Sequence, residues 1–246
     1  MTRALLALQA ATLFEITPAR RLKCTNDPDR APAPLLYMAG CSEGWVGYVH
    51  EDVPDDAARA FAETMAREPS LTAAGGAPQF GEDYRAIIGA AEALTAHNYG
   101  PIHRIPRSRS VTANATVVCQ GTPEGDALWT TLQRDGMPAA LVAAGFTDTS
   151  HLWEPWCVAL VDGAIAALAF AARKGLLAAE VGVYTLEHYR GRGLAGAVTA
   201  AWSGLLPRHP VLFYSTHRDN LASQRVIAKL GLPYVGESFR IEAQRG

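Results

Sequence analysis

The hydrophobic and polar positions of this chain change rhythm several times along its length. Short apolar runs at Leu35–Met38 and Trp45–Val49 flank a polar turn and predict two strands. Residues 55–67 predict a helix, with Pro54 and two Asp residues at its front, where a fixed φ and negative charge suit a helix N-terminus. A second helix is expected over 82–95, because Tyr84, Ile87, Ile88, Ala91 and Leu94 fall on one face. Residues 73–78, Ala-Ala-Gly-Gly-Ala-Pro, form the loop between them. Residues 99–110 are rich in Pro and Arg (Arg104, Arg107, Arg109) and read as a linker with a solvated basic face. The division placed there gives a smaller mixed α/β domain over 1–105 and a second domain over 106–246.

The second part is denser in signals. A strand is expected over 111–119, then a helix opened by the capping residue Thr122 and by Pro123. A helical piece follows at 138–144. Strands at 156–161 and 164–172 flank Asp162-Gly163, a pair that supplies the positive φ values of a tight hairpin turn. Next come a strand over 179–185, a loop entering a helix over 190–205, a strand at 211–216, a helix over 220–230 stopped by Gly231, and a last strand at 233–241. The order β-α-α-β-β-β-α-β-α-β predicts an α/β (α+β) fold with a mixed central sheet.

Composition narrows the functional classes. Hydrophobic residues make up 49% and charged residues 19%, which supports a sizeable core and excludes general disorder. A net charge of −2 gives no electrostatic footprint for nucleic acid or an anionic membrane. No apolar run reaches the ~18–20 residues of a membrane span. The start of the chain has the outline of a signal peptide, but its apolar rhythm continues through Leu13 and Ile16, so a cytoplasmic protein is expected. Cys24, Cys41, Cys119 and Cys157 form no C-x-x-C pair, which argues against a disulfide framework or zinc knuckle. The seven His residues show no metal-binding spacing, so no metal is expected. Gly40-Cys-Ser42-Glu-Gly44 matches a hydrolase elbow, but a strand rather than a helix follows it, so a hairpin turn is expected.

The segment with the clearest chemistry is Arg190-Gly191-Arg192-Gly193-Leu194-Ala195, where a strand passes through a polar loop into a helix. Glycines let an anion approach the backbone, the first helical N–H groups have no internal partner, and two Arg side chains add charge-assisted donors. This is chemistry for a pyrophosphate. Gly191, Gly193 and Gly196 also spell a dinucleotide fingerprint, with Asp219 further on. The polar connection after Thr185 and the short remaining chain count against that reading.

Arg190-Gly-Arg-Gly193-Leu-Ala195 resembles the acyl-CoA motif of the GNAT acyltransferase superfamily. Phe213 to Leu232, with Asn220 and Ser223, is similar to that superfamily's later strand and helix. The resemblance covers about 111–246, and more narrowly the chain looks like a bacterial subfamily in which a divergent N-terminal domain precedes the GNAT domain. It implies a central sheet of GNAT type that splays between the strand carrying Val183 and the strand ending near Thr216. Acetyl-CoA would lie there as acyl donor, held by the backbone of Val183, Tyr184 and Thr185, by the turn and helix start at 190–195, and by Thr216, Asn220 and Ser223. Asn220 is equally a helix cap, and Ser223 a small packing residue. Glu180 stands near the place where many relatives carry a base acting through water; it is equally a solvent-exposed strand-edge carboxylate. Ile227 replaces the Tyr that reprotonates the thiolate in many relatives, leaving Tyr214, His217 or Tyr184 within reach. Trp153-Glu154-Pro-Trp156 either lines an acceptor pocket or belongs to the core. The implied activity is transfer of an acetyl group to a primary amine of a small molecule by direct attack in a ternary complex, in a monomer or homodimer. The alternative is an acyl-CoA-binding sensor or structural domain without catalysis.

Overall fold

A computed structural model describes residues 2–107 and 113–243. In chain order its elements are α1 (Thr2–Leu13), β1 (Phe14–Ile16), β2 (Leu22–Thr25), β3 (Leu36–Cys41), β4 (Gly44–Val49), α2 (Asp55–Met65), α3 (Gly81–Ile88), β5 (Tyr99–Arg104), β6 (Thr116–Cys119), α4 (Pro123–Asp135), α5 (Ala139–Val142), β7 (Trp156–Val161), β8 (Ala164–Lys174), β9 (Ala178–Thr185), α6 (Leu194–Gly204), β10 (Val211–Ser215), α7 (Leu221–Leu230) and β11 (Tyr234–Ile241). From β6 onward the order is the one expected from the sequence. Arg109 and the first residues of the strand expected at 111–119 lie outside the described residues.

Local signals act where they were read. Asp162 and Gly163 have φ of 51° and 80° at the β7–β8 turn, and Gly231 ends α7 in the left-handed region. Thr122 caps α4 by accepting from the Gly125 N–H at 3.1 Å. The Ser42 segment is the β3–β4 hairpin turn. The helix expected over 82–95 and the reading of the cysteines need correction. The second helix stops at Ile88 because Gly89, with φ of 72°, caps it there. The apolar start is helix α1, with Leu6, Gln9 and Ala10 fully buried against the sheet. Cys119 and Cys157 face each other across β6 and β7 and are joined as a disulfide; a separation of 38 residues conceals that register.

Nine strands form one sheet in the order β4-β3-β11-β5-β10-β9-β8-β7-β6. Strand β5 takes up the beginning of the expected linker and lies between β10 and β11. Gly100 permits this fit: a Cβ there would sit 1.8 Å from the Thr216 carbonyl oxygen. Arg107, expected on a solvated face, donates to the Leu206 carbonyl at 2.8 Å and also to that of His209. Helices α6 and α7 pack on one face of the sheet, where Trp202, fully buried, donates to the Pro155 carbonyl at 2.9 Å. On the other face α1 covers Tyr37 and Phe213.

Among the described residues, β9 and β10 are the sheet's only parallel neighbours. Their pairing runs from Val211–Ala178 to Phe213–Glu180 and stops. Beyond it β9 continues to Thr185 beside β8, and β10 continues to Ser215 beside β5. The two strands therefore part in mid-sheet.

Candidate active site

The parting of β9 and β10 opens a polar cavity of about 260 Å³. Val181, Gly182 and Val183 form one wall and Tyr214 to His217 the other, with Asn220 and Ser223 at the start of α7. His97, Asn98, Tyr99, Ser238 and Arg240 close the remaining side. Past Glu180 the β9 edge facing this gap has no strand partner, so its amide and carbonyl groups are available to an extended ligand.

The strand β9 leads through a short helical turn at Glu187–Tyr189 into Arg190-Gly191-Arg192-Gly193 and then α6. Gly191 and Gly193 both have left-handed φ, 81° and 80°. Leu194, Ala195 and Gly196 follow in the first turn of α6, where N–H groups lack helical acceptors. Arg190, Gly191 and Arg192 are exposed, and the Arg192 guanidinium lies 5.2 Å from the Tyr189 ring centroid. Leu194 is buried in the core; the Ala195 carbonyl accepts from Thr199 Oγ1 at 2.7 Å. Lys229 was not anticipated: a Cβ on Gly193 would stand 3.2 Å from its Nζ. It lies on α7 six residues after Ser223, about 9 Å along the helix axis. One helix thus connects the gap to the glycine turn. Its spacing carried no motif, so only the packing of α7 beside α6 exposes it.

The other expected donor contacts divide between the two faces of β9. Val183 lines the gap, whereas the Tyr184 ring turns to the opposite face and meets Phe146 at 5.5 Å between centroids. Thr185 Oγ1 is buried without a hydrogen-bond partner. Thr216 lines the gap. Asn220 lines the gap and caps α7, its Oδ1 accepting from the Ser223 N–H at 3.0 Å. An unpartnered strand edge, a glycine turn, an orphaned hydroxyl and three nearby cations fit a phosphorylated, amide-bearing arm.

The three titratable residues singled out in the sequence stand differently. Glu180 is not at a solvent-exposed strand edge: it is 4% exposed and does not line the gap. Its Oε1 accepts from the Ser215 N–H at 2.7 Å and from the Ser215 hydroxyl, and Gln9 of α1 donates to its Oε2 at 3.4 Å. The carboxylate takes up the first amide left over where strand pairing ends. Burial raises its pKa, while the Ser215 and Gln9 hydrogen bonds and the Arg173 charge oppose the rise. Tyr214 is buried, and burial raises its pKa against a hydrogen bond with Ser223, so it holds its proton at neutral pH.

His217 lines the gap beside His97 and Arg240. Its Nδ1 is 2.9 Å from the His97 carbonyl, an acceptor, so Nδ1 carries the proton. Arg240 Nη2, a donor, stands 2.6 Å from Nε2 and 3.1 Å from Nδ1; with Nδ1 donating to the His97 carbonyl, the lone pair that receives it is that of Nε2. Burial and then the Arg240 charge hold its pKa below the ordinary imidazole value. Trp156 belongs to the core, while Trp153 and Glu154 line a different cavity of about 550 Å³. No cluster of metal-ligating side chains occurs among the described residues.

Element order, one parallel pair and its divergence ahead of a glycine turn together make the arrangement implied by the sequence motifs. The fold is mixed α/β, built on one nine-stranded sheet. Neither a family model nor a curated protein matches the sequence. Solved structures do resemble it. A putative GNAT-family acetyltransferase from Novosphingobium aromaticivorans shares 22% identity over 59% of this chain, with a TM-score of 0.37; the chain spans 66% of that protein. A tandem GNAT protein from the clavulanic acid biosynthesis pathway shares 18% identity over 99% of this chain and 94% of its own, with a TM-score of 0.47. A putative acetyltransferase from Salmonella typhimurium, solved with its cofactor acetyl-CoA, shares 14% identity over 55% of this chain and 98% of its own, with a TM-score of 0.32.

Lys229 is placed to add charge to the glycine turn. If the turn binds a phosphorylated ligand such as acetyl-CoA, Lys229→Ala is expected to weaken that binding about fivefold, with the difference shrinking as salt is added. Isothermal titration at low and high ionic strength checks this; an unchanged affinity at low salt removes Lys229 from the site.

Proposed function

We propose that the protein is an acyl-CoA-dependent N-acyltransferase that moves an acetyl group from acetyl-CoA to a primary amine of a small molecule. The observation that carries this reading is the end of β9–β10 pairing at Glu180–Phe213, which leaves a gap lined by a bare strand edge, Tyr214 and His217. Residues 190–195 and Lys229 hold the diphosphate. The unpaired backbone of Val183 to Thr185 holds the amide-bearing arm, and a β9 N–H donates to the thioester oxygen as it gains charge. Residues 1–105 act as a domain that walls the acceptor side with His97, Asn98 and Tyr99.

Chemically, the amine nitrogen forms a bond to the carbonyl carbon and the carbon–sulfur bond breaks. His217 Nε2 takes the proton lost by the amine once Arg240 gives way. Tyr214 gives its proton to the departing thiolate, with Ser223 orienting the hydroxyl. Binding both substrates side by side supplies several kcal/mol of the acceleration, about 7 kcal/mol in well-oriented cases. Glu180 acts here by positioning Ser215 and the end of β10.

Ile227 supports the second reading, a non-catalytic acyl-CoA sensor. It is buried in the core and supplies no proton at the place where many relatives carry Tyr. Thiol release from acetyl-CoA across an amine panel separates the two. Tyr214→Phe is expected to lower kcat about tenfold with little change in acetyl-CoA affinity. Tight acetyl-CoA binding with no amine-dependent thiol release would favour the sensor.

A further inference from the structure

The side of the gap formed by His97, His217 and Arg240 carries a charge pattern of its own. Its lining includes Arg240, His97 and His217 but no carboxylate. The acidic groups nearby are already engaged. Asp219 pairs with His97 at 3.3 Å, and Glu242 with Arg240 Nε at 3.2 Å. Glu237 accepts from the Gly75 N–H at 2.8 Å and lies 3.6 Å from Arg218. Glu180 is beneath the floor. A gap with a guanidinium at its rim and no anion in its lining gives poor purchase to a substrate whose only charge is an ammonium group.

Arg240 is held in place rather than waving at the surface. It lies on β11, its Nη2 bonds His217, its Nε pairs with Glu242, and its own carbonyl accepts from Asn98 Nδ2 at 2.8 Å. Nη1 has none of these partners and remains for a ligand. The guanidinium also sits on the lone pair that a base at His217 needs. An anion that draws Arg240 toward itself frees that lone pair.

We propose that Arg240 binds a carboxylate on the acceptor, so that the amines acylated here are amino acids or other amino carboxylates. The inference rests on the acyltransferase reading and deepens it. The carboxylate forms a charge-assisted pair with Nη1 and Nη2, Nη2 leaves His217 Nε2, and the exposed nitrogen receives the amine proton. Arg240 is thus a specificity-determining residue, and substrate binding itself uncovers the base.

Matched pairs of acceptors test this: glycine against methylamine, β-alanine against ethylamine, and L-phenylalanine against phenylethylamine. For each pair, kcat and KM are measured by thiol release from acetyl-CoA. The wild-type protein is expected to favour the carboxylated member by about tenfold or more in kcat/KM in at least one pair. Arg240→Gln is expected to collapse that ratio toward one, chiefly through a higher KM for the carboxylated member. Arg240→Lys, which keeps the charge and loses the planar fork, is expected to fall between the two. Acetyl-CoA affinity of each variant, measured by titration, reports that the fold is intact. A wild-type preference for the plain amines overturns the proposal alone. So does a loss in Arg240→Gln or Arg240→Lys that leaves the ratio unchanged, since a merely structural residue would behave that way. No turnover of any member by protein that binds acetyl-CoA overturns the acyltransferase reading and this proposal with it.

Discussion

Gly193→Val is expected to weaken acetyl-CoA binding about a hundredfold, equivalent to nearly 3 kcal/mol. Gly193 precedes α6 with φ of 80° and ψ of 3°, a conformation that strains any L side chain and a β-branched one most. Its Cβ would also stand 3.2 Å from Lys229 Nζ, so the new side chain displaces a cation from the turn. The first amides of α6 and the charge of Lys229 are lost together. Gly191→Val supplies the comparison. Its φ is similar, but a Cβ there meets nothing within 4 Å, so only backbone strain opposes it and an effect of about tenfold is expected. Isothermal titration measures both, with urea unfolding to separate binding from folding. Wild-type affinity in Gly193→Val would remove the diphosphate from this turn.

Glu180→Ala is expected to destabilise the protein by about 2–4 kcal/mol. The substitution leaves the part-buried Ser215 N–H and the buried Gln9 amide without their acceptor at the point where the sheet opens. Glu180→Gln is milder, since an amide oxygen still accepts from Ser215, but its NH₂ then faces the Gln9 NH₂. The two variants also test the titration. The folded carboxyl has a pKa raised by burial, above its unfolded value. Its contribution to stability is therefore complete below the unfolded pKa and declines as pH rises through the folded pKa. Urea unfolding across acid to neutral pH should show the wild type losing ground to Glu180→Gln as pH increases. Parallel curves for the two proteins would mean that the carboxyl titrates as it does in water.

The parts of this architecture legible in the sequence are those set by neighbours along the chain. Asp162-Gly163 requires its turn, Thr122-Pro123 its helix start and Gly231 its helix stop, whatever lies elsewhere. The glycine turn at 190–195 was readable for the same reason. What stayed hidden depends on partners far away in sequence. Glu180 reads as an edge residue until α1 is known to cover it with Gln9, and α1 itself has a weak apolar stripe with polar residues buried. Lys229 and Arg240 are ordinary cations until packing sets one against Gly193 and the other against His217. Cys119 and Cys157 pair only through strand register. The Pro and Arg content of residues 99–110 suggested a linker because periodicity cannot reveal a strand whose two neighbours come more than a hundred residues later.

That insertion of Tyr99–Arg104 between Val211–Ser215 and Tyr234–Ile241 orders events during synthesis. This inner strand of the sheet leaves the ribosome before either neighbour and waits for more than a hundred further residues to emerge. Closure of the sheet is then a late, long-range step, slow by its topology, and the waiting segment offers two bare edges to other nascent chains in the interval.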